Sequence, residues 1–425
     1  MNGPAKTALL TLPVWTNTRR MLFRFFFLFA VLFIISLPFP HPLMPDLPSV
    51  LAPFFEKMVK WTGDHILKIN HPYSNRLISD STGLYIHLVI LLFFSFTGCI
   101  IWSMTDKRKS YHILSYWFRV GVSYYLAFYL MSYGFNKLFK WQFYMPEPNT
   151  LFTTLGNTYR DLLYWSTMGT SRSYNIFLGS LELLAGLLLL FRKTRLLGAL
   201  LAISILLNIV AVNFGFDINV KVFSCFLLFL AIRVAGPSAK RLYQFFFTDH
   251  TVIPVTSWEP QYVSPGIRKT YFTGKILLIA YMLCSLLSVY ARSGNFNDDK
   301  ATRPLFHGAY DVSLFIKNGD TLPPLTTDTQ RWKRVFIHRR GYLIIQSMDE
   351  QMHDFHFACD TLKKEWQIET ERDWNEAVLQ YRQTSDTTIN LRSKTGSDSL
   401  NIYLLRIDLT KLPLLQKEFN WTVDQ

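Results

Sequence analysis

Cysteine is scarce in this sequence, and its spacing excludes several classes of redox and metal protein. The chain has four cysteines, and no two of them form a C-x-x-C motif. A dithiol enzyme, a zinc ribbon and a c-type haem site are therefore not expected. Cys99, Cys225 and Cys284 lie in separate apolar runs and Cys359 lies alone, so all four are interpreted as small apolar residues.

Charge is also scarce, and acidic residues are rarest in the first two-thirds of the chain. Only 17% of the residues are charged, against about 25% in an average soluble domain. Residues 1–291 contain 26 lysines and arginines and 11 acidic residues, whereas residues 292–425 contain 18 and 19. Because the excess basic residues lie between apolar runs, they indicate membrane topology, and no nucleic-acid partner is expected.

Long apolar runs dominate the first two-thirds of the chain. A helix that crosses a bilayer needs about 20 mostly apolar residues, and seven segments reach or approach that length. The lipid bilayer is therefore the first expected partner. The segments are 21–37, 84–104, 114–135, 174–191, 196–214, 220–234 and 271–291.

The loop charges orient these predicted spans. Basic clusters adjoin the spans at residues 19–20, 107–109, 192–195 and 268–269. The bias of basic residues toward the cytoplasm then places the N-terminus inside and, after seven spans, the C-terminal part in the periplasm of a two-membrane bacterium. The first span is interpreted as an uncleaved anchor in the inner membrane rather than a signal peptide, because no small-residue cleavage site follows it.

Two further segments have their own patterns. Residues 48–61 have apolar side chains at helical spacing, which predicts an amphipathic helix on the outer membrane surface. Residues 295–425 have short alternating runs, which predict a β-rich soluble domain built as a small sandwich or barrel. The predicted strands are 334–337, 342–347, 354–358, 377–381, 388–392 and 401–407, with turns at Gly341, 385–386 and Gly396.

Two histidine-containing motifs in this domain are given structural interpretations. His353, His356 and Cys359 do not predict a metal site, because residues three apart on a strand face opposite sides of the sheet. The basic run 338–340, which precedes Gly341, is interpreted as a solvated hairpin turn.

Glu182 is the acidic residue that the hydropathy pattern singles out. It lies about 12 Å from the outer end of the predicted span 174–191 at 1.5 Å per residue, and no lysine or arginine lies three or four residues away. We therefore expect it to be protonated or paired with a residue of another helix. The other residues of this predicted polar site are Arg119, Asn136, Lys137, Gln142, Asn208, Asn213, Asp217 and Lys221.

Two hypotheses account for this polar site. The side chains could lock the helices together through hydrogen bonds between spans. Alternatively, they could line a half-buried cavity that opens to the outside and binds a polar substrate or relays protons. The sequence leaves both open.

Segment 114–235 contains the run Arg-Val-Gly-Val at 119–122 and the run Tyr-Gly-Phe-Asn-Lys at 133–137. These two runs resemble the first helix of the DoxX-like membrane protein family. Residues 178–195, with Glu182 and a basic hairpin, are similar to its second helix, and residues 208–221 would join its third and fourth. The resemblance implies a four-helix bundle in which Arg119, Lys137 and Glu182 match the family's pattern. Some DoxX-like proteins are subunits of thiosulfate:quinone oxidoreductase and others are linked to oxidative stress, so no single activity is implied.

These observations predict an α-helical multi-pass membrane protein with a C-terminal, mostly β domain. Its expected parts are the N-terminal spans and surface helix at 1–113, the DoxX-like bundle at 114–235, a cytoplasmic loop and last span at 236–294, and an extracytoplasmic domain at 295–425. The expected function is quinone- or redox-linked, as a quinone-linked oxidoreductase if the protein is an enzyme. A small-solute or proton transporter and a structural envelope-assembly protein are the alternatives. Quinone is the one cofactor considered, because no haem, flavin, iron–sulfur or zinc motif is present, and 295–425 could bind an envelope protein.

Overall fold

The chain folds into two compact units. The computed structural model describes residues 13–37, 46–248, 264–369, 376–395, 398–416 and 422. The helical unit comprises Met1–Leu138 and Phe177–Gly294, and the barrel unit comprises Phe139–Ile176 and Asn295–Gln425. Segment 139–176 therefore belongs to the barrel unit, although it lies between two predicted spans.

Helices form at all seven positions where the sequence predicts spans. In chain order the described helices are α1 Asn17–Ser36, α2 Leu47–Trp61, α3 Thr82–Thr105, α4 His112–Leu138, α5 Pro148–Leu151, α6 Arg160–Thr170, α7 Arg172–Leu190, α8 Arg195–Gly215, α9 Lys221–Ala235, α10 Ala239–Phe247 and α11 Pro265–Ser293. The hydropathy pattern does not predict α5, α6 and α10, because these helices have only 4, 11 and 9 residues.

Five of the seven predicted spans are long and apolar enough to cross a membrane. They correspond to α3, α7, α8, α9 with its continuation into α10, and α11. Helices α1 and α4 also form at predicted spans but are too polar to meet the same standard. Three arginines lie in α1, and α4 contains Arg119, Lys137 and five tyrosines.

A buried arginine fastens α1 to α3. The side chain of Arg24 is almost fully buried. Its Nε donates to the hydroxyl of Tyr111 at 2.9 Å, its Nη1 donates to Ser103 at 2.7 Å, and its Nη2 donates to the carbonyl of Asp106 at 3.0 Å. Because these partners satisfy the guanidinium, the residue that makes α1 less apolar also holds it in place.

The predicted amphipathic helix at 48–61 forms as α2, but its apolar face is divided. Phe55 and Val59 are buried in a small cluster with residues of α3. Phe54 and Trp61, which the helical spacing places on the same face, are exposed by more than half. The prediction of a helix is confirmed, and its position on the outer membrane surface stays a prediction.

The C-terminal part of the barrel unit is a closed antiparallel β-barrel. Its described strands are β1 Gly308–Lys317, β2 Asp320–Thr321, β3 Trp332–Ile337, β4 Tyr342–Ser347, β5 Met352–Asp360, β6 Glu365–Glu369, β7 Glu376–Gln383, β8 Thr388–Thr395 and β9 Asp398–Arg406. Neighbouring strands pair in sequence order from β3 to β9, and β1 pairs with both β3 and β9. Eight strands thus close the barrel, and the short β2 extends the end of β1 as a hairpin.

All six predicted strands are confirmed, and three more were missed for local reasons. In β1 the pairing register with β9 shifts between Val312 and Leu314, so the alternation of apolar residues is broken by a bulge. Strand β6 has only five residues, two of them glutamates at its ends, and β2 has two residues. The turn predicted at Gly396 lies outside the described residues.

Side chains fill the interior of the barrel, as expected for a barrel of eight strands. Trp366 is fully buried at its centre, with the rings of Phe306, Phe357 and Tyr381 around it. On the outer face, Phe336 stacks on Phe152 at 5.7 Å between ring centroids. The segment that follows α5 therefore covers part of the barrel wall.

Candidate functional site

Glu182 forms an ion pair with Lys137 in the helical unit. The Nζ of Lys137 on α4 lies 2.9 Å from each carboxylate oxygen of Glu182 on α7. The two residues are 5% and 2% exposed. Of the two states expected for Glu182 from the sequence, pairing with another helix is confirmed.

Glycines bring the two helices together beside this ion pair. A Cβ atom on Gly134 would lie 2.8 Å from the carbonyl oxygen of Gly179, and one on Gly179 would lie 2.6 Å from that of Gly134. Each glycine precedes one partner of the pair by three residues, which is nearly one helical turn. Gly186 makes a similar close approach to Met131 farther along α4. Backbone contact therefore sets the distance that the Lys137 side chain spans.

The geometry of the pair favours the locking hypothesis. A buried charge is stable when an opposite charge and hydrogen bonds compensate for its desolvation, and Lys137 gives both to Glu182. Proton relay or substrate binding would require one of the two groups to leave this arrangement. The ion pair therefore joins α4 to α7 through a buried polar contact.

Two asparagines of the predicted site form hydrogen bonds with other helices. Asn136 accepts a hydrogen bond at 2.7 Å from Tyr290 of α11, and Asn213 donates to Ser224 at 3.0 Å. Asn208 is exposed on the surface of α8. Arg119 is half-buried on α4, Gln142 belongs to the barrel unit, and Asp217 and Lys221 pair at the start of α9.

An acidic residue that the sequence did not single out holds the start of α9. The carboxylate of Asp80, in the loop before α3, accepts hydrogen bonds from the backbone N–H groups of Lys221 at 2.7 Å and Val222 at 3.1 Å. The Nζ of Lys221 lies 2.7 Å from Asp217 and 3.8 Å from Asp80. A carboxylate at a helix N-terminus is favoured by the helix dipole and by unpaired N–H groups. The spacing of Asp217 and Lys221 could be read from the sequence, whereas Asp80 is 141 residues from Lys221.

An apolar cleft opens next to the same helix start. It has a volume of about 330 Å³ and is lined almost entirely by apolar atoms. The residues that line it come from α1, α3, α8 and α9, and they include Phe33, Phe226, Cys225 and Lys221. The rings of Phe33 and Phe226 stack with centroids 3.7 Å apart. The lining of the cleft is therefore almost entirely apolar, and it includes one ammonium group, that of Lys221.

The barrel unit contains a second buried carboxylate, Glu147, which begins α5. It is 4% exposed. The guanidinium Nε of Arg339 donates to one carboxylate oxygen. The other oxygen accepts from the backbone N–H of Arg339 and from Nε2 of His307, both at 3.2 Å. Arg339 also binds Asp298 and lies 4.1 Å from the centre of the Tyr144 ring.

These contacts determine the charge of Glu147. Burial by itself raises the pKa of this carboxyl, but the hydrogen bond from His307 and the charges of Arg339 and His338 outweigh it and hold the pKa at about 2. Burial lowers the pKa of His338 although Glu147 opposes that effect. Glu147 is therefore an anion at neutral pH that joins segment 139–176 to the β3–β4 turn.

The predicted solvated turn at 338–340 is wrong in one respect. A turn does form, since the N–H of Gly341 donates to the carbonyl of His338. The Arg339 side chain, however, is only 14% exposed and is paired with two carboxylates. Its partners lie 192 and 41 residues away in the sequence, so local pattern could not reveal them.

The histidine–cysteine motif lies on one strand of the barrel. His353, His356 and Cys359 all lie on strand β5, where Cys359 packs toward the barrel core and the two histidines are exposed. Within the part of the chain that the structure describes, no three histidine, cysteine or acidic side chains form a group suited to a metal ion.

Comparison with known proteins gives a relative without an assigned activity. The chain is 34% identical over 108 residues to a protein of Bacillus subtilis strain 168 described as "Uncharacterized protein YwoB". The match covers 25% of this chain and 68% of that protein. No protein-family model matches the chain, and no solved structure matches it.

Proposed function

The chain belongs to the family of the uncharacterized protein YwoB, and we propose that it is an integral membrane protein that binds a quinone or a similar long-chain amphiphile. The apolar cleft beside Lys221 is the observation that carries this proposal. A DoxX-like bundle in the inner membrane, with the barrel unit in the periplasm, is the setting we propose for it.

The surface of the helical unit supports insertion into a bilayer. Large apolar side chains on α3 are exposed, including Phe93, Phe96, Ile101 and Met104. An exposed apolar surface of this kind would be unfavourable in water, but lipid tails would cover it. The five long apolar helices have lengths suited to crossing the hydrocarbon core.

The chemistry of the cleft suits a molecule with an apolar tail and a polar ring. Small-molecule sites are mostly apolar with a few polar groups that orient the ligand. The phenylalanines of α1 and α9 would contact the tail and the ring. The ammonium of Lys221, held by Asp217 and Asp80, would donate a hydrogen bond to a quinone carbonyl.

A transport function has less support. The buried pair of Lys137 and Glu182 is satisfied on both carboxylate oxygens. A proton or solute path through this pair would have to break an interaction that the helix packing holds in place. The ligand-binding proposal needs no such change, because the cleft is open.

Cys225 offers a direct test, because it lines the cleft and its side chain is exposed. A protein with Cys225 as its only cysteine, purified in detergent, would be labelled with a maleimide in the presence of a short-chain quinone. The quinone should slow the labelling severalfold. A matched protein with Cys284 alone is the control, since Cys284 is exposed on α11 and does not line the cleft.

A cleft-filling substitution provides the second arm. Val222→Trp should remove the protection of Cys225, because the indole would occupy the space of the ligand. Equal protection of Cys225 and Cys284, or protection that survives Val222→Trp, would contradict binding in the cleft. An alkane without a quinone ring, used at the same concentration, separates ring recognition from nonspecific partition.

The proposed topology can be checked independently. In a cysteine-free background, Leu362→Cys places a thiol on the most exposed apolar residue of the barrel unit, and Lys107→Cys places one in the loop after α3. A membrane-impermeant maleimide added to intact cells with a permeable outer membrane should label Leu362→Cys only. Labelling of Lys107→Cys alone would reverse the orientation.

A further inference from the structure

Basic side chains from four helices of the helical unit lie close enough for their charges to interact. Arg119 lies on α4, Arg195 begins α8, Arg241 lies on α10 and Lys275 lies on α11. The charges of Arg195, Arg192 and Arg241 act on Arg119, and that of Arg195 also acts on Lys275. The sequence indicated these residues only as separate loop charges.

Arg195 is the buried member of this basic cluster. It is 4% exposed, and its Nε makes a long hydrogen bond of 3.4 Å to the carbonyl of Leu189. Its Nη1 is buried and has no hydrogen-bond partner among the described residues. The Nε atoms of Arg119 and Arg241 are also buried without such a partner.

Buried guanidinium groups whose nitrogens lack hydrogen-bond partners are energetically unfavourable. Leaving a buried charged donor unsatisfied costs more than leaving a neutral one, and like charges at close range add repulsion. Arg24 provides an internal comparison, because three side-chain or backbone oxygens satisfy it at a similar degree of burial. Each of the three arginines thus has a buried nitrogen that lacks an oxygen acceptor among the described residues, whereas all three side-chain nitrogens of Arg24 have one.

We infer that this cluster is a binding site for a phosphate-bearing anion. Guanidinium groups bind phosphate oxygens through two parallel hydrogen bonds, and several arginines can share one phosphate. The phosphate of an acidic phospholipid is the favoured source, since basic pockets between transmembrane helices on the cytoplasmic side bind such headgroups. That choice of source rests on the membrane insertion proposed above, whereas binding of the phosphate group does not.

The aromatic side chains near the cluster suit a lipid headgroup at the membrane interface. Tyr271 of α11 lies against Trp117 of α4 with ring centroids 6.3 Å apart, and the ammonium of Lys275 lies 4.7 Å from the centre of the Phe191 ring. Aromatic rings with polar tips are typical of the interface between lipid headgroups and tails. Acyl chains would then contact these rings while the arginines hold the phosphate.

The test uses the full chain in detergent after removal of bound lipid. Its thermal midpoint would be measured with phosphatidylglycerol, with phosphatidylcholine and with inorganic phosphate, and lipid adducts would be counted by native mass spectrometry. Phosphatidylglycerol should raise the midpoint and form a specific adduct. Phosphatidylcholine, whose phosphate is neutralised by its own choline, should have little effect.

Three substitutions distinguish binding at the basic cluster from a general effect of positive charge. Arg195→Gln and Arg241→Gln should each weaken phosphatidylglycerol binding by about tenfold, as expected for the loss of one charged hydrogen bond. Without lipid, Arg195→Gln should raise the midpoint, because it removes a buried charge that has no counter-ion among the residues that the structure describes. Lys193→Gln is the matched control, since Lys193 is exposed in the same hairpin, and it should change neither value.

The outcomes answer two separate questions, namely whether the phosphate site exists and whether its phosphate comes from a lipid or from solution. If inorganic phosphate alone stabilises the protein and Arg195→Gln abolishes the effect, the site takes a soluble phosphate, and the phosphate-binding inference stands without the lipid. If neither anion stabilises the protein, or if Lys193→Gln weakens binding as much as Arg195→Gln, the inference is overturned. Equal effects of phosphatidylcholine and phosphatidylglycerol would overturn it as well.

Discussion

Replacing Glu182 by glutamine tests whether the buried ion pair stabilises the helical unit. Glutamine keeps the size of the side chain but removes the negative charge that pairs with the ammonium of Lys137, a residue that is 5% exposed. Breaking a buried ion pair in this way costs about 3–5 kcal/mol. At about 2–4 °C per kcal/mol for a domain of this size, the thermal midpoint should fall by roughly 10 °C.

A double substitution distinguishes a purely stabilising role of Glu182 from a functional one. Lys137→Met combined with Glu182→Met removes both charges, and replacing a buried pair by apolar groups is often neutral or stabilising. The double variant should therefore recover the midpoint that each single variant loses. Thermal unfolding of the parent protein, Lys137→Met, Glu182→Met and the double variant in the same detergent gives the coupling energy between the two residues.

The control and the refuting result follow from the same geometry. Asp217→Asn breaks an ion pair whose carboxylate side chain is 78% exposed, and it should leave the midpoint nearly unchanged. If Glu182→Gln were harmless, or if the double variant stayed as unstable as the single ones, the pair would not be a lock. A double variant that is stable but in which quinone no longer protects Cys225 would instead assign the Lys137–Glu182 pair to ligand binding.

Three further perturbations test separate parts of the chain. Gly134→Ala should destabilise the helical unit by about 1–3 kcal/mol, because its Cβ would lie 2.8 Å from the carbonyl of Gly179. Gly121→Ala on the same helix, which would meet nothing within 4 Å, should not destabilise it, and equal losses in thermal midpoint would contradict the close-packing argument. Asp80→Ala should lower the midpoint by an amount equivalent to about 1–2 kcal/mol through loss of the α9 cap, and it should weaken quinone protection of Cys225; an unchanged midpoint would remove Asp80 from this role. The pKa of Glu147, about 2 instead of 4.5, means that its carboxylate stabilises the fold above about pH 5 and that up to about 3 kcal/mol is lost as the pH falls toward 2. Glu147→Gln should flatten the dependence of the thermal midpoint on pH in that range, and an unchanged acid dependence would show that other carboxyls carry it.

The elements of both units follow closely from local pattern. Apolar runs of about 20 residues predict the long helices, because such runs leave few other ways to satisfy the backbone in an apolar environment. Alternation over four to eight residues predicts six of the barrel strands in the same way. The failures are local too, since the bulge in β1 interrupts alternation and β6 is too short to establish it.

The partners of the charged residues could not be predicted to the same degree. Glu182 could be recognised as needing a partner from burial alone, and Lys137 was among the candidates because it lies at a similar depth. Arg339 was misread, since its carboxylate partners are distant in sequence. Asn208 was placed in the site by depth, yet the rotation of α8 leaves it exposed.

The sequence by itself determined that a hydrophobic helical part precedes a β-rich part, and that Glu182 needs either a proton or a partner. These conclusions depend on hydropathy and period, which act over a few residues. Tertiary structure alone decided that Asp80 holds the start of α9 and that Glu147 joins segment 139–176 to the barrel. It also decided that Arg119, Arg195 and Arg241, on three different helices, lie close enough for their charges to interact. The distance between two side chains depends on how helices and strands pack and not on their separation in the chain.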